Sequence, residues 1–409
     1  MRVTQRIGRS RQRPSVISLF AGAGGMDVAL ERAGWRTVTA TDSDSDCVTT
    51  MVASREAHIP IMGGPCDTYL RGARIVRADI RGLNGADLRP ARAGKAWRPT
   101  LLAGGPPCQP WSSAGLQRGL QDDRGQLISE MIRLTDELNP SLVLFENVRG
   151  LVTAVGRTGR PGEVLAWIKA EFENLGYATR FATLNAADFG APQRRVRLYM
   201  LASRDVRLPA IPEPTHAKDP AQAPGRLPWV TLGEFLELLP PPYPEDVVRP
   251  NERRAAELAT LMPGTGLRTQ GRVENNRPSG HWGYRQDCFV ADPLVPSRTI
   301  RAAATPDWIR EPSGAHRRLT WRECAALQGF PPEWRFSGGA ASRFRQIGNA
   351  VQTAMVEALG RALLASADGA REVPHSAPLP AEFHRRVRYT VAEHKTNGEH
   401  RVRVRASVR

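Results

Sequence analysis

A chain of 409 residues is too long for one minimal core, and its length predicts about two domains. Its 41% hydrophobic and 24% charged content is that of a globular protein, and the lack of any run of ~20 apolar residues argues against a membrane span. The formal charge of +16 favours a polyanionic partner, but Lys occurs only at positions 95, 169, 218 and 395, so the Arg excess also fits a GC-rich genome. The five cysteines (Cys47, Cys66, Cys108, Cys288 and Cys324) form no C-x-x-C pair and no zinc-type Cys/His spacing. Free thiols in a reducing compartment and no metal are expected. The basic segment Met1 to Arg13 has no apolar stretch behind it, which points to the cytoplasm.

From Val16 to about Met200, short apolar runs alternate with helical patterns. Val16 to Phe20 has the pattern of a buried strand, followed by a Gly-rich turn and a helix from about Met26 to Arg32. Thr37 to Thr41 is a second strand, ending in Asp42, Asp44 and Asp46; Arg74 to Asp79 is a third. Thr100 to Ala103 is a fourth and runs into Gly104-Gly105-Pro106-Pro107. Leu127, Met131, Leu134 and Leu138 recur at helical spacing before a fifth strand, Ser141 to Phe145. Such alternation predicts a parallel, doubly wound α/β sheet with its ligands at the strand C-termini.

Residues 205–250 are Pro-rich, with periodicity only at Leu232 to Leu239, and 251–300 is irregular. A helical pattern returns at Val351 to Leu364 and is expected to pack back onto the first domain. In the tail, Val387, Tyr389, Val391, Val402 and Val404 alternate around Asn397-Gly398, which suggests a hairpin; a basic disordered tail is the other reading.

Phe20-Ala21-Gly22-Ala23-Gly24-Gly25 lies between strand and helix, with Asp42 about 20 residues on. Glycines there let a ligand approach the backbone, and the acid can hold a ribose diol. Asp79 adds an acceptor for an adenine amino group. Alone, this turn fits a dinucleotide enzyme nearly as well.

Gly104 through Pro107-Cys108-Gln109-Pro110-Trp111-Ser112 is more specific. It presents a thiol at a strand end on a stiff Pro-Pro base, and a thiolate is the soft nucleophile needed to attack an aromatic ring carbon. Leu142 to Val148 brings Glu146 to the end of the next strand, where apolar walls raise a carboxyl pKa. In Gln193-Arg194-Arg195-Val196-Arg197, strand parity points Arg195 and Arg197 to one face.

These motifs occur in the order seen in the DNA cytosine-5 methyltransferases, and the chain resembles that family over about residues 14–202 and 293–365. Arg322-Glu323-Cys324 through Gly329-Phe330-Pro331 and Gln346-Ile347-Gly348-Asn349-Ala350-Val351 complete the match. The resemblance implies a Rossmann-like class I S-adenosylmethionine-dependent catalytic domain with a smaller target-recognition domain. It places Phe20, Gly22, Gly24, Asp42, Asp79, Ile80, Pro107 and Asn349 at the cofactor. Cys108 becomes the nucleophile, Glu146 the group on cytosine N3 and its amino group, Arg195 the partner of O2, and Arg197 the residue orienting Glu146. Gln109, Ser112, Arg298 and Thr299 are implied DNA contacts. One departure is Ser43, where members often carry an aromatic residue.

The implied reaction is methylation at C5 of a cytosine flipped out of duplex DNA, with residues 113–124 as a closing lid. Expected boundaries are a basic arm at 1–13, a catalytic domain at 14–204 plus 343–366, a recognition domain and hinge at 205–342, and a basic tail or hairpin at 367–409. A monomer is expected, acting beside a possible cognate restriction endonuclease. The base-reading candidates are Arg268, Arg272, Asn275, Asn276, Arg277 and Arg285. A transfer-RNA cytosine methyltransferase is one rival, opposed by the long irregular stretch 205–292. A catalytically silent DNA-binding homologue is another, opposed by the presence of both Cys108 and Glu146.

Overall fold

The computed structural model describes residues 13–61, 67–107, 126–156, 158–266, 288–303 and 305–391. The first half forms a seven-stranded sheet from β1 (Ser15–Leu19), β2 (Arg36–Asp42), β3 (Arg74–Arg77), β4 (Leu101–Gly104), β5 (Leu142–Val148), β6 (Ala178–Asn185) and β7 (Val196–Ser203), in the order β3-β2-β1-β4-β5-β7-β6. β1 to β5 are mutually parallel, whereas β7 runs antiparallel to both β5 and β6. The five strands expected as a parallel sheet are so, and β7 adds an antiparallel strand. The Ala178–Asn185 strand, whose ATRFATLN run has no strong apolar alternation, has no counterpart among the expected elements.

Helices α1 (Gly25–Arg32), α2 (Ser45–Glu56), α3 (Gly85–Leu88), α4 (Gln126–Leu138) and α5 (Glu163–Asn174) connect the strands. Strand parity sorts the core into two layers. Ile17, Leu102, Val143 and Phe145 pack with Met131 of α4 and with Ile168 and Phe172 of α5. On the other face Val16, Leu101, Leu142 and Leu144 pack with Leu30 of α1 and with Met355 and Leu359. The last two belong to a helix that follows a long excursion of the chain.

In that excursion come β8 (His216–Ala217), β9 (Leu227–Pro228), α6 (Leu232–Glu237), α7 (Glu252–Ala259), β10 (Thr265–Gly266), β11 (Phe289–Val290), β12 (Trp308–Arg310) and β13 (His316–Arg318). The last four form a small sheet, with Leu258, Leu261, Val290 and Trp308 as a local core. Then follow α8 (Trp321–Leu327), α9 (Ala340–Asn349) and α10 (Thr353–Ala367). As the sequence predicts, α10 returns to the first sheet: Trp35 Nε1 donates to the Gly360 carbonyl at 2.8 Å. Leu327, Phe330 and Trp334 share a buried cluster with Val28 and Met51. This core continues across the boundary expected near residue 342.

Beyond α10 the chain runs along the sheet edge. Arg371 bridges to Val206, the Ala377 amide donates to the Thr179 carbonyl at 2.9 Å, and the Thr179 amide donates to Ser376 Oγ at 3.0 Å. Residues 381–391 form a helix, α11. The strand suggested by the Val387, Tyr389, Val391 alternation is corrected here. Phe383 is buried in the core, and Val387, one turn on, packs over Gly162, while Tyr389 is 62% exposed. The packing follows period four, and the apolar alternation is incidental.

Candidate active site

The turn after β1 is bent into the left-handed region at Phe20 (φ 53°), Gly22 (φ 57°) and Gly24 (φ 86°). Phe20 carries that cost as a non-glycine residue, and this kind of strain is typical of ligand sites. The Gly22 amide donates to Asp42 Oδ2 at 2.8 Å and the Asp44 amide to Oδ1 at 2.9 Å, so the carboxylate fixes the turn. Burial raises the Asp42 pKa, and these backbone donors oppose the shift. A Cβ at Gly22 would meet no heavy atom within 4 Å, so open space lies against the backbone there. At Gly24 the Trp334 ring would lie 3.0 Å from a Cβ, so that glycine serves packing.

Asp79 faces solvent, and its carboxylate takes Arg81 Nη2 at 2.6 Å, which lowers its pKa. Ile80 beside it is buried. Pro107, just past β4, and Asn349, at the end of α9, are exposed. From α9, Arg345 pairs with Asp44 at 3.0 Å and Thr50 donates to Gln346 Oε1 at 2.7 Å, which ties that helix to the acidic end of β2.

Glu146 lies two residues before the end of β5, beside Gly105, which follows β4. A Cβ on Gly105 would sit 2.8 Å from Glu146 Oε2, so only glycine leaves the carboxyl its place. Arg197 Nε lies 3.3 Å from Glu146 Oε1, the pairing that the family resemblance implies. Burial raises the Glu146 pKa, and the Arg197 and Arg195 charges oppose it. Next door, Asn147 Nδ2 donates to the Pro106 carbonyl at 3.1 Å and so links the ends of β4 and β5. Tyr199, directly opposite Glu146 across the ladder, is fully buried, and its hydroxyl has no hydrogen-bond partner among the described residues. Sequence reasoning missed it, although the same parity that selected Arg195 and Arg197 also selects Tyr199.

Arg195 lies on that face too, but its guanidinium is turned away from open space. It is 1% exposed and donates to the carbonyls of Ile300 at 3.1 Å, Gly348 at 3.0 Å and Ala350 at 2.7 Å. These bonds staple the hinge segment and α9 to the start of β7. The guanidinium expected at the base O2 is thus occupied by main-chain carbonyls in this structure. Gly348 shows how close the junction is: a Cβ there would come within 2.2 Å of the Ala302 amide nitrogen.

The segment around Ser297 also closes on β7. The Arg194 amide donates to the Ser297 carbonyl at 2.8 Å, and Thr299 Oγ1 donates to the Arg194 carbonyl at the same distance. Arg298 makes a two-pronged pair with Asp307 (Nε to Oδ2 2.9 Å) and lies 3.5 Å over the Phe289 ring. Asp307 and Phe289 carry no sequence signal. Cys108, Gln109, Ser112, residues 113–124 and all six base-reading candidates (Arg268, Arg272, Asn275, Asn276, Arg277 and Arg285) lie outside the described residues. No group of three His, Cys, Asp or Glu able to hold a metal ion occurs among the described residues, and no described helix is long and apolar enough to cross a membrane.

A sequence model of the C-5 cytosine-specific DNA methylase family matches residues 15–365. The type II methyltransferase M.SacI of Streptomyces achromogenes is 31% identical over 85% of this chain and 92% of its own. M.NgoFVII of Neisseria gonorrhoeae, also named a type II methyltransferase, is 29% identical over 88% of each. Among solved structures, a putative DNA modification methyltransferase of an E. coli prophage superposes with a TM-score of 0.60, at 20% identity over 87% of this chain and all of the other. An S. pombe Dnmt2 methyltransferase gives a TM-score of 0.53 at 19% identity over the same 87% of this chain and all of its own.

Proposed function

The chain belongs to the family of C-5 cytosine-specific DNA methylases, and from that premise we propose how its own residues carry out the transfer and what substrate it takes. The methyl donor of the family is S-adenosylmethionine. The open space at Gly22 and the half-buried Asp42 beside it fit such a nucleoside. Each Asp42 oxygen accepts one backbone N–H, which leaves lone pairs for ribose hydroxyls. Phe20, Gly24, Asp79, Ile80, Pro107 and Asn349 complete the proposed cofactor set. When bound, the cofactor supplies an electrophilic methyl group.

The observation that carries the mechanism is the Glu146–Arg197 pair in its buried niche at the end of β5. A carboxyl with a raised pKa holds its proton more readily. Protonated, it donates to cytosine N3 while its other oxygen accepts from the exocyclic amine. Cys108, two residues past Pro106, attacks C6 as a thiolate. The S–C6 bond forms, the C5–C6 π electrons move toward C5, and the bond at N3 takes up the charge that would otherwise build on the ring. After C5 has been alkylated, loss of the C5 proton and expulsion of the Cys108 sulfur restore the ring. Arg197 takes the O2 contact, since Arg195 is committed to three main-chain carbonyls. The target cytosine flips out to reach the niche.

The relatives' names as type II methyltransferases support sequence-specific modification of duplex DNA; the reading adds a monomer in the cytoplasm, acting beside a separate restriction endonuclease. The DNA family match disfavours the transfer-RNA alternative, and Cys108 with Glu146 disfavours a silent homologue. Incubating the protein with methyl-labelled cofactor and either duplex DNA or transfer RNA tests the reading. 5-Methylcytosine in the DNA is expected, with Glu146→Gln slower by about 10²-fold or more. Label in transfer RNA alone overturns it.

A further inference from the structure

The segment after α10 lies beyond the family match at 15–365, and it follows a directed path. It joins the sheet edge at Val206 and Asp205, past the end of β7, and passes Thr179 near the start of β6. Glu382 then contacts Thr183, which the ladders set level with Leu198 and Asn147. Val387 packs over Gly162, in the loop that leaves β5. α11 is therefore delivered to the end of the sheet that presents Glu146, about two strand spacings (~10 Å) from β5.

Phe383 anchors the helix in the core, and the outer face carries His384, Arg385 and Arg388. Arg160, exposed in the neighbouring loop, extends the positive charge. Among the described residues none of these arginines has a carboxylate partner within ion-pair distance, while Glu382 and the nearby Glu163 are bonded to Thr183 and Thr158. Some surface arginines elsewhere are neutralised, as Arg249 is by Glu311 and Arg345 by Asp44. Unneutralised guanidinium groups on a rigid helix, at the same end as the reaction niche, match the backbone of a bound duplex.

We propose that α11 and Arg160 form a phosphate-binding surface for duplex DNA flanking the target site, clamping the substrate from the edge of the catalytic sheet. This rests on the assignment of duplex DNA as substrate. The surface touches phosphates, so it adds affinity without sequence preference.

The test is the salt dependence of binding to a duplex carrying the site with about 15 base pairs on each side. R385Q/R388Q should lower the slope of log affinity against log salt by about 1 to 2, with R160Q lowering it further, at roughly 0.9 for each phosphate left without its arginine. Methylation at saturating DNA should be unchanged. R36Q/R207Q, which removes two exposed charges at the opposite end of the sheet, should leave the slope as it is. Equal slopes for all variants, or equal reductions in R385Q/R388Q and R36Q/R207Q, overturn the proposal. If wild-type protein methylates no DNA at all, the substrate assignment fails instead.

Discussion

Arg197 Nε lies 3.3 Å from Glu146 Oε1 across the antiparallel β5–β7 pair, and both groups are largely withdrawn from water. Burial drives the Glu146 pKa up while the cation restrains it. Burial thus favours the protonated carboxyl and the cation the ionised one, and the proposed role uses one oxygen as donor and the other as acceptor.

Gly105→Ala tests the shape of that niche. Its Cβ would meet Glu146 Oε2 at 2.8 Å, and the carboxyl tip must swing aside. We expect kcat to fall by about 10- to 100-fold with the melting temperature nearly unchanged, measured by methyl transfer and calorimetry on the same sample. Unaltered kcat would show that the carboxyl position is not critical.

Arg195 and Arg197 should separate stability from catalysis. Arg195→Met removes donors from three carbonyls in a buried junction and should cost about 3 kcal/mol in a denaturant titration. Arg197→Met should keep most of the stability and lower kcat by about 10²-fold or more. The reverse pattern would return the base contact to Arg195.

Glu31 predicts a pH signature. It is buried, accepts the Thr37 and Leu70 amides, and has its pKa pushed up to about 8 by burial. Below ~4.3 the folded and unfolded chains both hold the proton, and the group contributes nothing. Between there and about 8 the unfolded chain releases the proton while the folded one keeps it, so stability is lost as pH rises. The melting temperature of wild type relative to Glu31→Gln should therefore fall from pH 5 to pH 8. A difference independent of pH would contradict the shift.

Much of this site is legible in the sequence because its signals are local. The Gly22 turn, Asp42 and Glu146 follow from strand ends and Gly placement, the shared face of Arg195 and Arg197 from strand parity, and the Arg197–Glu146 pairing from the family resemblance. The role of Arg195 is not legible: its partners lie at Ile300, Gly348 and Ala350, more than a hundred residues away, and only the tertiary fold brings them near. β6 carries a weak signal because Ala and Thr dilute its Phe181 and Leu184. In α11 the alternating Val and Tyr residues read as a strand and mask the Phe383–Val387 spacing. The Arg298–Asp307 pair lacks any motif around Asp307.

The most direct test of the mechanism is covalent capture. A duplex with 5-fluorocytosine at the target position cannot lose its C5 substituent as a proton, so the sulfur stays bonded at C6. Denaturing electrophoresis with cofactor present should show a stable protein–DNA adduct for wild type and none for Cys108→Ser. No adduct for wild type, or an equal adduct for Cys108→Ser, would contradict Cys108 as the nucleophile and the site built around it.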